Sequence, residues 1–409
     1  MKRLLSVILF AAAVMPLLTS CGESVELDYL SRSKADPDRK APHALLIYFV
    51  GTSLDSYFAQ NIAGVLSAVD QNILGDSRIA YFRRVESGST DWGIFEISYD
   101  IVQRKAVTTM LKRYEDADLT QIGTYLSDMV GLVPAESYGL VLGGHGSGWL
   151  PKDVGTSWSN TYSVRPQTHY VMPFGEAPRE DALPTRFFGE RAVMFDLEDI
   201  SAGMEESGGK YEYLLFDDCF MSNIESLYAL RHAADYIIAS PCEVMAAGFP
   251  YKLVVPQLFK NGRRDLEGVC RAFYEYYEGD SGCVALTICS ELEPLAEAYA
   301  NLLAGETNAV DRTGLQYYEG LSEHLFYDFG QYAELLSADE GLYGAFKAQF
   351  DRAFPESCRL HTPTFYTAFG PSFNSRIDID YYSGVTVSEP ANRNQQLNRE
   401  TEWYRATHK

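Results

Sequence analysis

The chain has 409 residues, of which 46% are hydrophobic and 13% aromatic, with 56 acidic residues against 34 Lys and Arg for a net charge of −22. That apolar content fills a core and excludes a predominantly disordered or low-complexity chain. The acidic balance excludes a nucleic-acid partner, because phosphate binding needs a basic face. By itself the charge signals solubility before it signals cationic substrates.

The chain opens on Lys2 and Arg3, followed by an apolar run over 4–18 broken by Ser6 and Pro16. A run of this length suits a secretion signal and is too short to span a bilayer comfortably. It ends in Leu18-Thr19-Ser20-Cys21-Gly22, which resembles a bacterial lipobox. Residues 1–20 are therefore expected to be removed and Cys21 to be lipidated. The expected location is outside the cytoplasm, lipid-anchored to the outer membrane. Glu23, Glu26 and Asp28 follow the anchor, and the polar, proline-bearing stretch up to residue 43 reads as a tether. The six cysteines beyond Cys21 show no disulfide framework. Cys283 and Cys289 flank one strand-like run that would hold them ~20 Å apart, beyond disulfide reach. Free, buried thiols are expected.

From 44 onward, short apolar runs alternate with helical patterns. The strand candidates are 44–50 (ALLIYFV), 79–83 (IAYFR), 138–142 (YGLVL), 213–216 (YLLF), 236–239 (YIIA) and 284–288 (VALTI). Continuous apolar runs of this kind are buried on both faces, as in a parallel sheet. Helical patterns fall at 54–73, 104–113, 119–131, 197–206, 222–234, 263–278 and 291–303. The alternation predicts an α/β domain over 44–305, with a mostly parallel sheet flanked by helices on both faces. A smaller C-terminal subdomain over 306–409, with short strands at 377–382 and 385–387, packs on it. Residues 151–191 interrupt the alternation with prolines and with Arg165, Arg179, Arg186 and Arg191. A long irregular insertion of this sort usually serves function.

Two strand ends carry chemistry. The first runs from Tyr138 into Gly143-Gly144-His145-Gly146-Ser147-Gly148-Trp149. It places His145 beyond the carboxyl end of a strand, where open α/β sheets bind ligands. Gly146 leaves a backbone N–H uncovered that can meet an oxyanion. The glycine spacing fits neither a dinucleotide fingerprint nor a nucleophile elbow. The second strand runs from Tyr213 into Asp217-Asp218-Cys219-Phe220-Met221-Ser222-Asn223-Ile224-Glu225. Ser222 and Glu225 have capping-box spacing. Cys219 then sits before a helix N-terminus, whose partial positive charge favours thiolate. Strand alternation puts Asp217 on the face of Cys219 and Asp218 on the other. A thiol and an imidazole at one rim are a complete set for amide hydrolysis. His169, His232, His324 and His361 lie in less suitable settings, and Cys242 ranks behind Cys219 as a nucleophile. No metal-ligand spacing is present.

A strand ending in His-Gly-x-Gly-Trp, followed by one ending in Asp-x-Cys and then Met and Asn-Ile-Glu, resembles the clostripain family of cysteine peptidases. Segments 233–236, 239–240, 327–332 and 403–404 are also similar to it. The resemblance implies a caspase-like fold, Cys219 as nucleophile and His145 as proton donor to the leaving amine. It implies an oxyanion hole from the N–H groups of Gly146 and Cys219. Asp217, joined by Glu243, would bind an Arg or Lys side chain before the scissile bond. No cofactor is required; the family admits calcium, for which the sequence offers no ligand cluster. The implied partner is a peptide or protein substrate, with self-cleavage in the Arg-bearing insertion. Asp218 stands where the family usually has a small residue, and only Glu243 remains of the acidic run that often follows Ala-Ser. A second reading is a peptidase-like binding lipoprotein without catalysis; a third, an unrelated glycan hydrolase, lacks an argued carboxylate pair.

Overall fold

The computed structural model describes residues 40–152, 195–368 and 376–409. Residues 41–409 cluster as one compact unit. The expected lipid anchor at Cys21, and His169 with the four arginines of the insertion, lie outside the described residues.

The apolar runs are strands. β1 (Ala44–Phe49) and β5 (Tyr138–Gly143) are buried at all six positions, and β6 (Tyr211–Asp217) at six of seven. With β2 (Arg78–Arg84) and β7 (Tyr236–Ala239) they form a parallel block in the order β7-β6-β5-β1-β2. Antiparallel strands extend both edges: β3 (Trp92–Asp100) and β4 (Lys105–Tyr114) beside β2, and β8 (Cys283–Ile288) beside β7. After the two-residue β9 (Tyr327–Asp328), β10 (Leu360–His361) pairs antiparallel with β8, so the C-terminal part completes the nine-stranded sheet.

Neighbouring residues of β1 show the two layers. Phe49 stacks on Phe58 of α1 (Asp55–Val69), with ring centroids 4.4 Å apart. Tyr48 turns the other way, towards Tyr125 of α2 (Ile122–Leu132). Helix α3 (Leu197–Glu206) lies against α2, where a Cβ on Gly203 would sit 3.0 Å from the Gly123 nitrogen. After α4 (Ile224–Ala229), α5 (Tyr251–Leu258) packs on α1. α6 (Leu266–Tyr277) and α7 (Leu292–Ala304) follow, then α8 (Phe329–Leu336) and α9 (Glu340–Ala353). Past the short α10 (Gln395–Asn398), α11 (Glu402–Thr407) buries Trp403 against Tyr228, Tyr299 and Phe329.

Three expectations need correction. Residues 104–113 are strand, not helix: β4 forms a hairpin with β3, which the apolar runs did not reveal. The β-branched Val107-Thr108-Thr109 favours pleated backbone, and the partner strand overrides an accidental helical spacing of Val107, Met110 and Leu111. The helix expected over 222–234 is only α4, and the strand over 377–382 only Arg376–Asp378.

The parallel block leaves no room at Gly139, where an ideal Cβ would lie 1.9 Å from Cζ of the buried Tyr213. Gly139→Ala is expected to cost about 2 kcal/mol or more by overpacking. Gly131→Ala, in α2 with nothing within 4 Å of its Cβ, should instead gain up to about 1 kcal/mol of helix propensity. Thermal denaturation of the two variants checks the contrast.

Candidate active site

Register brings the two motifs together. Phe49 pairs with Gly143, and Gly143 pairs with Asp217, so β1, β5 and β6 end level on one rim. His145 and Cys219 each lie two residues past that line. The chains remain in contact there: a Cβ on Gly146 would lie 2.2 Å from the Cys219 carbonyl oxygen and 3.1 Å from its nitrogen. Only glycine permits this approach.

Beyond Cys219 the chain turns sharply. Phe220 takes φ +62°, a left-handed conformation costly for a non-glycine residue, by about 1–3 kcal/mol. The turn is held by Phe220 N–H donating to the Cys242 carbonyl at 3.1 Å and Ser222 N–H donating to Ser240 at 2.9 Å. The Phe220 ring stacks on Phe326, centroids 5.0 Å apart. Gly148, at φ +64°, comes so close to Phe326 that a Cβ would be 2.9 Å from its ring. The Trp149 indole N–H donates to Ser388 Oγ at 2.8 Å.

The segment after β7 covers Cys219. Val244 N–H donates to Cys219 Sγ at 3.2 Å, and the thiol faces the Val244 carbonyl at 3.7 Å. Cys219 has no exposed surface. Burial pushes its thiol well above the ordinary range, the charges of Glu243 and Asp218 add to this, and the Val244 N–H opposes it. The expected thiolate bias from a following helix is therefore not realised in this conformation. α4 has only six residues and begins five positions later, so desolvation dominates.

The carboxylates separate as alternation predicts. Asp217, fully buried, accepts from Phe249 N–H at 3.0 Å and from the Tyr251 hydroxyl at 2.6 Å, on the face of α1 and α5. Asp218 turns towards Leu197 and Ile200 of α3 and accepts from Gly144 N–H at 2.5 Å. That bond ties the His145 loop to the Cys219 strand end. Glu243, also buried, accepts through Oε1 from Thr367 Oγ1 at 2.6 Å and Ala368 N–H at 2.9 Å. On the imidazole, Nε2 meets Ser53 Oγ at 2.9 Å.

The other candidates lie in separate surroundings. His232 is exposed beside Glu293, His324 pairs with Glu319 at 2.9 Å, and His361 meets the Thr362 carbonyl. The Cys242 side chain packs with Cys283, Tyr318 and Phe365. All six described cysteines are free and buried. Among the described residues no group of three His, Cys, Asp or Glu is placed to hold a metal ion. Ser53, Val244 and Phe220 were not foreseen. A hydroxyl two residues past a glycine at the end of β1 was the one available signal, for Ser53.

The clostripain family model matches residues 188–303, the stretch containing Cys219. A solved structure of a secreted C11 cysteine protease from Bacteroides thetaiotaomicron, "iotapain", is 32% identical. It covers 90% of this chain and 100% of its own, with a TM-score of 0.77. The chain belongs to the clostripain family. An inactive zymogen C11 protease from Parabacteroides distasonis is 27% identical over 91% of this chain and 99% of its own, TM-score 0.73. A secreted C11 protease of B. thetaiotaomicron, bound to an irreversible peptide inhibitor, is 20% identical over 90% of this chain and 98% of its own, TM-score 0.71; it shares the fold. No curated protein sequence matches. The mixed α/β architecture is the caspase-like one these clostripain-family proteases share.

In this clostripain-family chain a buried carboxylate braces the site from behind. The expected Ser222–Glu225 capping box is absent: Asn223 caps α4, accepting from Ser226 N–H at 2.9 Å. Ser222 Oγ instead donates to the Gly384 carbonyl at 2.7 Å. Glu225, freed from capping, accepts from Ser388 N–H at 2.8 Å, Asn398 at 2.9 Å and Asn223 at 2.7 Å. Ser388 in turn carries Trp149. Burial raises the Glu225 carboxyl from 4.5 to about 7. The folded chain thus holds that proton more tightly than the unfolded chain. The contribution of Glu225 to stability is fully present below about pH 4.5 and declines as pH rises through about 7. Glu225's share of that decline is on the order of 3 kcal/mol. Denaturant titrations between pH 5 and pH 8 should show a shallower decline in Glu225→Gln.

Proposed function

We propose that the protein is a cysteine endopeptidase that cleaves after Arg or Lys, held latent in the conformation described. The supporting observation is the level ending of β5 and β6, which sets the Gly146 backbone against Cys219. Cys219 Sγ attacks the scissile carbonyl carbon while its proton passes to His145, which delivers it to the leaving amine as the C–N bond breaks. The N–H groups of Gly146 and Cys219 hold the oxyanion. Asp217 receives the basic side chain. It now accepts from Phe249 and Tyr251, so substrate entry requires the 240–250 segment to shift. The same shift removes Val244 from the thiol and lowers its desolvation. Cleavage at Arg165, Arg179, Arg186 or Arg191 is the proposed trigger.

The proposed location is outside the cytoplasm, anchored through lipid on Cys21, in keeping with the relative described as secreted. No cofactor is assigned, since a thiol and an imidazole suffice; calcium, which the family admits, is left without a role. A second reading is a non-catalytic binding lipoprotein, which draws on the buried thiol and on Asp218. Profiling against peptides with Arg, Lys, Asp or Leu before the cleaved bond separates the two. Cys219→Ala and His145→Ala are each expected to lower kcat/KM at least ~10³-fold. Asp217→Asn should lower it roughly 10²-fold for Arg and Lys and little for Leu. Turnover unchanged in Cys219→Ala ends the peptidase reading, and equal wild-type cleavage after Arg and Leu ends the role of Asp217.

A further inference from the structure

We propose that Ser53 is a positioning residue for His145, an assignment that rests on the peptidase reading above. Ser53 Oγ lies 2.9 Å from His145 Nε2. The hydroxyl stands on a short 3-10 turn, Thr52–Leu54, between β1 and α1. That turn is anchored by Leu54, buried at 3% exposure, and by Asp55, which pairs with Arg83 at 3.2 Å. Gly51 makes the approach feasible. Its φ is +116°, which side chains rarely allow, and its Cβ position would lie 3.6 Å from His145 Cδ2. The loop after β1 therefore folds against the ring edge and returns a hydroxyl to Nε2.

The contact fits the Nε2–H tautomer with Ser53 Oγ accepting, and the proposal assigns that tautomer. A hydroxyl accepting from Nε2–H keeps that proton in place and leaves Nδ1, which is buried, as the nitrogen that exchanges protons. The balance follows. The Cys219 thiol proton passes to Nδ1 as the S–C bond forms, giving an imidazolium with both ring N–H groups occupied. The Nδ1 proton then leaves with the amine as the C–N bond breaks. His145 returns to the Nε2–H tautomer, still bonded to Ser53. Without the acceptor the ring rotates, both tautomers populate, and the imidazolium loses a partner.

The test uses the full chain in its active form, with Ser53→Ala and Ser53→Thr. Competent sites are counted by a thiol-directed irreversible peptide inhibitor. Ser53→Ala is expected to lower kcat per titrated site roughly 10- to 100-fold, with KM within about twofold. The limb of the pH–rate profile set by His145 should move to lower pH. Ser53→Thr should restore both. The neighbouring titratable groups at the end of β6, Asp218 and Cys219, are unchanged by either substitution. NMR titration of the His145 ring gives a readout independent of turnover: its midpoint should fall in Ser53→Ala and recover in Ser53→Thr. Absence of wild-type turnover defeats the peptidase reading, and the ring titration then decides the Ser53 assignment by itself. An unmoved midpoint, or a loss of rate explained wholly by fewer titrated sites, overturns it.

Discussion

Parallel pairing of β5 on β6 sets Gly143 opposite Asp217, and the chemistry at the rim depends on that register. Adjacent strands lie about 4.8 Å apart. Chains running on past a shared line therefore remain neighbours, provided one of them carries no side chain at the crossing. Gly146 meets that condition, with a Cβ position only 2.2 Å from the Cys219 carbonyl oxygen. A slip of one residue would turn Asp217 and Cys219 to the opposite face. The hydrogen bond from Gly144 N–H to Asp218 resists such a slip at the rim itself. Asp218, out of place on family grounds, thus acts as a clamp between the two motif loops.

The state of the Cys219 thiol reflects a competition. Burial and two carboxylates hold the thiol protonated, while a single backbone N–H favours charge, and the first group prevails. The element responsible is the 240–250 segment. It supplies Val244 to the thiol, Phe249 to Asp217 and Glu243 to residues 367–368. The Cys219 thiol, the Asp217 carboxylate and the C-terminal loop are therefore coupled through one stretch of backbone. A displacement of this stretch changes the surroundings of the thiol and of Asp217 together.

The sequence disclosed what depends on local patterning. The six apolar runs are strands because each is buried on both faces, a condition that requires no knowledge of partners. The alternation of Asp217 and Asp218 was legible for the same reason. Features that depend on distant partners were not legible. β4 is a strand because β3 lies beside it. Glu225 serves Ser388 and Asn398 rather than its own helix because the C-terminal segment passes within reach. Val244 reaches Cys219 across 25 residues of sequence, and no periodicity encodes that contact.

These distant partners explain why the C-terminal part belongs to the site although it contributes neither thiol nor imidazole. Phe326 presses on both Phe220 and Gly148, the turns that follow Cys219 and His145. Trp149 hangs from Ser388, which is held by Glu225, which also draws in Asn398. The strained φ of Phe220 persists because it is determined from several sides: the Cys242 carbonyl, the Phe326 ring and the Ser222–Ser240 bond. The rim sets which residues meet, and the C-terminal segment sets how rigidly they are held there.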